Sequence, residues 1–132
     1  MPQIENLGLC LLVIEDSDDT LEMLRKWLAV FGCQMEGVRS ASEAMKAMAA
    51  RKPDLIISDI GMPGVDGYAF IKEMRKSPDF KSVPAIALTG YSREEDRKLA
   101  LASGYNAHIA KPAEMRQLVD LIKKLTGRGE KV

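Results

Sequence analysis

The feature that most constrains this chain is an alternation. Short apolar runs, too brief for helices of ordinary length, are separated by longer amphipathic segments. The runs are Leu9–Ile14 (LCLLVI), Leu55–Ser58 (LIIS), Val83–Leu88 (VPAIAL) and the short Ala107–Ala110 (AHIA), with a more polar member at Gln34–Val38. Runs that stay apolar, rather than alternating with polar residues, belong to strands buried on both faces. Between and after them, Leu21–Phe31, Ser42–Ala50, Tyr68–Lys76, Arg93–Ser103 and Glu114–Leu125 read as helices. Leu21, Leu24, Leu28 and Phe31 recur at helical spacing, as do Met115, Leu118, Val119, Ile122 and Leu125. Ser42 is placed to cap its helix, and Gly32, Pro53, Ser77-Pro78 and Gly104 supply stops. Strand and helix alternate five times, which predicts an α/β fold: a parallel sheet with helices on both faces.

The bulk numbers narrow the function. A length of 132 residues fits one domain, and 46% hydrophobic residues suffice for a packed core. Nineteen basic residues balance nineteen acidic ones, which speaks against a nucleic-acid module. Cys10 and Cys33 match no metal or redox spacing and read as free thiols in a reducing compartment. No targeting signal opens the chain, and its longest apolar run is too short to span a bilayer, so a soluble cytoplasmic protein is expected. Residues 1–8 read as a leader, 9–126 as the domain and 127–132 as a tail.

In an open parallel sheet, ligands bind beyond the carboxyl ends of the strands. Glu15 and Asp16 follow the first run, Asp59 the third, Thr89 and Gly90 the fourth, and Lys111 the fifth. Three carboxylates gathered at one edge disfavour each other's ionisation, and a hard divalent cation relieves that repulsion. A phosphoryl group on Asp59 would present oxygens to the Lys111 ammonium and the Thr89 hydroxyl. Simpler roles compete: Glu15 and Asp16 as helix caps, Lys111 as a surface lysine, Thr89 as a strand former. Asp19-Thr-Leu-Glu22 fits a capping pattern that accounts for Asp18 and Asp19, and Asp66 fits a turn. His108, the lone histidine, reads as structural, and the methionines as core filling.

The motifs VIEDS, SDIGMPGVDG, ALTGY and AKP, in that order, make Leu9–Leu125 resemble the receiver domain of two-component response regulators, the chemotaxis regulators among them. That resemblance implies a five-stranded, doubly wound, flavodoxin-like sheet in the order 2-1-3-4-5, with five helices. It implies Asp59 as phosphoacceptor for a phosphohistidine donor. Magnesium, or manganese in its stead, would be held by Glu15, Asp16, Asp59 and the Gly61 carbonyl. It also implies Thr89, with Gly90 beside it, as the switch hydroxyl and Lys111 as the phosphate's counter-ion. The implied partners are a sensor histidine kinase or a histidine phosphotransfer protein, and a target meeting the fourth helix, fifth strand and fifth helix. A homodimer on phosphorylation fits the same scheme; a nucleic acid, a membrane or conventional enzyme activity does not. Three positions depart from the family's pattern. The first acidic position holds Glu15, a variation common in the family. Gly61, two past Asp59, cannot orient a water, and His108 stands where the family usually has Tyr or Phe. Tyr91 is a second candidate for coupling.

Two rival readings exist. Asp16-Ser-Asp18-Asp19-Thr20 spells the DxDxT motif of haloacid-dehalogenase-type phosphohydrolases, with Asp16 as nucleophile. Those need a later acidic pair, for which only Glu114 and Asp120 remain, and they leave DIGMPGVDG unexplained. The other is a phosphorylation-independent interaction module, which the intact acidic set disfavours. No GxGxxG or P-loop pattern follows the first run.

Overall fold

The computed structural model describes residues 6–60, 67–90, 94–111 and 113–127. The elements are β1 (Cys10–Ile14), α1 (Asp18–Val30), β2 (Gln34–Val38), α2 (Ala41–Ala50), β3 (Leu55–Asp59), α3 (Gly67–Lys76), β4 (Ala85–Thr89), α4 (Glu94–Ser103), β5 (Ala107–Ala110) and α5 (Met115–Thr126). All five strands pair in parallel, in the order β2-β1-β3-β4-β5, the order implied by the sequence resemblance.

Alternate residues of each central strand feed two separate cores, the consequence of a side-chain period of two. Leu11, Val13, Ile57, Ile86 and Leu88 pack with Leu24 and Leu28 of α1 and with Leu118, Val119 and Ile122 of α5. Leu12, Ile14, Ile56, Ala85 and Ala87 turn the other way, against Met48 of α2, Phe70, Ile71 and Met74 of α3, and Ala100 of α4. Small Ala85 and Ala87 make room there for the larger side chains of α3. Each fully buried Leu or Ile contributes about 1.5–3 kcal/mol, so β1, β3 and β4 are held by burial on both faces. Met48 and Met74 are core residues, and Met23, Met35, Met45 and Met115 pack partly buried against the core, as core filling predicts. Cys33 lies in the α1–α5 core, while Cys10 faces the α2 side; both are free thiols.

Register sets the position of the site. Ile14 pairs with Ser58, Asp59 with Leu88, and Thr89 with Ala110, so the carboxyl ends of β1, β3, β4 and β5 finish nearly level. The residues that follow them therefore emerge along one rim. The Lys111 amide donates to the Thr89 carbonyl at 2.7 Å and the Glu15 amide to that of Val38 at 2.9 Å, extending the ladder to the rim itself.

Two helix caps differ from the sequence expectation. Ser17, not Asp19, caps α1, accepting from the Thr20 amide at 3.3 Å; Asp18 and Asp19 occupy the first turn, where their charge meets the positive end of the helix dipole. Ser40, not Ser42, caps α2, because Ser40-x-x-Glu43 closes a reciprocal pair: Ser40 Oγ accepts from the Glu43 amide, and the Glu43 carboxylate accepts from the Ser40 hydroxyl and the Arg39 amide. Among the described residues, no helix is long and apolar enough to cross a membrane.

Candidate functional site

Glu15 is the first residue past β1, Asp59 the last of β3, Thr89 the last of β4 and Lys111 the first past β5. The rim therefore brings together residues up to 96 positions apart. The Lys111 Nζ donates to Asp59 Oδ2 at 2.6 Å and to Glu15 Oε1 at 3.1 Å. Glu15 is 1% exposed and Asp59 6%, whereas Asp16 lies open to solvent. Carboxylate oxygens of Glu15, Asp16 and Asp59 all lie within 4.8 Å of one another. The buried Thr89 completes the rim, and Gly90 beyond it is exposed.

The electrostatics follow from this crowding. Burial, with a hydrogen bond to Asp59 and that residue's charge, pushes the Glu15 carboxyl up to about 7 against the opposing pull of Lys111. Burial presses the Lys111 pKa down, but Asp59 and Glu15 outweigh it and the net shift is upward, so the ammonium stays charged. The Lys111 ammonium meets two of the three carboxylates, and the second oxygen of Glu15 is buried with no hydrogen-bond partner among the described residues. An orphaned carboxylate oxygen beside two further carboxylates is an all-oxygen, electron-rich set, the kind a hard divalent cation such as magnesium takes. The residues present fit such an ion.

One contributor escaped the sequence reading. Arg39, immediately after β2, donates to the Asp16 carbonyl at 3.0 Å and pairs with the Asp18 carboxylate. It steadies the backbone of the acidic pair from the sheet's edge. The signal was available, because Arg39 follows its strand just as Glu15 and Lys111 follow theirs.

His108 lies away from this rim, on β5 opposite Ala87, and lines a groove of about 480 Å³ between α4 and α5 with Arg97, Leu101 and Asp120. Burial lowers its pKa, and its Nε2 is buried with no hydrogen-bond partner among the described residues. Asp120 in that groove is thus placed with His108 on the α4–α5 side, unlike the metal ligand that the phosphohydrolase reading needs. Gly61, Asp66, Tyr91 and Pro112 lie outside the described residues.

A five-stranded parallel sheet carrying acidic residues, a threonine and a lysine on its carboxyl rim defines a doubly wound α/β protein with a charged site at its strand ends, and comparison with known proteins makes the class specific. The profile of the response regulator receiver domain matches residues 11–123. A 14.6 kDa protein of the sodA1 3′ region of Leptolyngbya boryana is 39% identical over 114 residues, covering 86% of this chain and 87% of that one. Among solved structures, the signal receiver domain of a signal transduction histidine kinase from Syntrophus aciditrophicus superposes with a TM-score of 0.82 at 35% identity, covering 94% of this chain and 96% of the other. The receiver domain of the sensor histidine kinase PA1611 from Pseudomonas aeruginosa, with a magnesium ion coordinated in its active-site cleft, gives 0.83 at 28% identity, covering 91% and 98%. The chain belongs to the response regulator receiver domain family. It is a receiver domain of two-component systems, a signalling switch, and receiver domains partner with sensor histidine kinases.

Proposed function

We propose that Asp59 is the phosphoacceptor of this receiver. A carboxylate oxygen of Asp59 forms the new P–O bond while the P–N bond of a phosphohistidine breaks, and the histidine nitrogen leaves with the bonding pair. The observation that carries this reading is the Lys111 ammonium at 2.6 Å from Asp59 Oδ2, in position to follow the arriving negative charge. Lys111 then exchanges its bond to the carboxylate for bonds to phosphoryl oxygens, and the Thr89 hydroxyl donates to the same group. Glu15 and Asp16, with Asp59 and the Gly61 carbonyl, would hold magnesium, or manganese in its place. That ion supplies charge neutralisation for the incoming phosphate. Gly61 carries no side chain to orient a hydrolytic water, so it contributes no such group to loss of the phosphoryl group.

The phosphoryl group adds roughly one to two negative charges and biases a two-state equilibrium of the face made by α4, β5 and α5. That face, with His108 at its floor and Tyr91 as a second coupling residue, meets the downstream protein target or a second copy of the chain. The donor is a sensor histidine kinase or a histidine phosphotransfer protein, and the setting is cytoplasmic. The test is Asp59→Asn treated with acetyl phosphate and magnesium. Wild type should gain one acid-labile phosphate and the variant none; uptake by the variant would remove Asp59 from the role.

A further inference from the structure

We propose that Tyr105 is a positioning residue for phosphotransfer, holding the phosphoacceptor strand end in place through Gly67 and Ile60; this rests on the reading of Asp59 above. Tyr105 lies in the turn between α4 and β5, 3% exposed, with its backbone amide bonded to the Ala100 carbonyl at 3.1 Å. Its hydroxyl donates to the carbonyl of Gly67, 38 positions away, at 2.9 Å. Gly67 is the first residue of α3 and sits directly on Ile60: a Cβ built there would fall 2.6 Å from Ile60 Cγ2 and 2.9 Å from its Cα. Ile60 in turn donates its amide to Leu88 at 3.0 Å and is bonded covalently to Asp59. A continuous path of contacts thus runs from the Tyr105 hydroxyl to the residue that bears the chemistry. It sets Ile60 and Gly67 directly against each other.

The donor itself is held still. Arg75 of α3 donates from Nε to the Gly104 carbonyl at 3.0 Å and from Nη2 to Asn106 Oδ1 at 2.9 Å. Asn106 Oδ1 also accepts from the Ala85 amide at 2.9 Å. The residues on either side of Tyr105 are therefore pinned to α3 and β4, and the hydroxyl has a fixed origin. A phenylalanine would fill the same apolar space, so the hydroxyl contributes the bond and not the packing. Pre-organisation of this kind acts on rate, because small displacements of a reacting group are costly.

The experiment is Tyr105→Phe, compared with wild type by the initial rate of phosphorylation against acetyl phosphate concentration at saturating magnesium. The maximal rate should fall about three- to tenfold, the loss of one neutral hydrogen bond expressed as a rate, while half-saturation stays put. Amide hydrogen exchange at Ile60 and Gly67 should quicken while that at Val13 and Ile57 does not. A purely structural hydroxyl would lower the melting temperature and leave the maximal rate of folded protein unchanged; that result, or unchanged exchange at Ile60, overturns the inference. A wild-type chain that takes up no phosphate overturns the Asp59 reading and this inference with it. Uptake by wild type with an equal maximal rate in the variant overturns this inference alone.

Discussion

Replacing Lys111 with methionine keeps most of the side chain's apolar length and deletes its charge. The ammonium faces Asp59 at 2.6 Å and Glu15 at 3.1 Å, worth about 6 and 5 kcal/mol of attraction at an effective dielectric near 20, most of it offset by desolvation. Removing one partner from a buried pair costs about 3–5 kcal/mol, because the remaining charge is left uncompensated. Glu15, with its carboxyl already near 7, sheds its share of that burden by taking a proton at neutral pH. The partial exposure of Lys111 weakens the pair further, so the expected loss lies at the low end, about 3 kcal/mol. For a domain of this length that is a fall in melting temperature of roughly 10 °C. Magnesium should repair it, since a divalent cation among the same oxygens replaces the missing positive charge; at a hundredfold excess over its dissociation constant a bound ion contributes about 2.7 kcal/mol. Thermal unfolding followed by circular dichroism, in EDTA and in saturating magnesium, reads both numbers. The reasoning is refuted if Lys111→Met melts with wild type in EDTA, or if magnesium raises wild type by more than the variant.

Ser17→Ala should destabilise the fold by about 1 kcal/mol in urea titrations, and Asp19→Ala by clearly less, because the cap is the serine. Gly67→Ala drives a methyl into Ile60 and should cost about 1–3 kcal/mol by the same measurement. His108 supplies a pH dependence. Burial holds its folded pKa below 6.5, with Arg97 pushing the same way and Asp96 and Glu94 opposing, so below that pH the unfolded chain binds the proton first. Its contribution to stability is intact above pH 6.5 and is lost as the pH falls from there through the lower folded pKa; His108→Phe should flatten the melting-temperature curve in this window.

The strands were legible because burial on both faces leaves an unbroken apolar signature, and the rim residues because each is the polar residue closing or following such a run. Glu15, Asp59, Thr89 and Lys111 all emerge where that rule puts them. Arg39 was missed although the sequence already ends this strand at Val38, because its partners, the Asp16 carbonyl and the Asp18 carboxylate, lie 23 and 21 positions away in the chain. Both helix caps were placed two residues late because apolar spacing begins after the cap, while Ser17 and Ser40 set the boundary by side-chain bonds to the backbone. The bonds of Tyr105 to Gly67 and of Arg75 to Gly104 left no trace in periodicity, since they join positions 38 and 29 apart whose proximity exists only once the sheet has formed.

The bond between Lys111 and Glu15 has a consequence for how this protein fails. Its two ends follow the first and last strands, so on the roles proposed above for these residues the chain becomes chemically competent only after its most sequence-distant pieces have met, the slowest kind of contact to make. Fraying of β5 alone would silence the molecule while most of its interior stayed dry, and the fraction that accepts phosphate in an ageing or heated sample should therefore decline before any spectroscopic sign of unfolding.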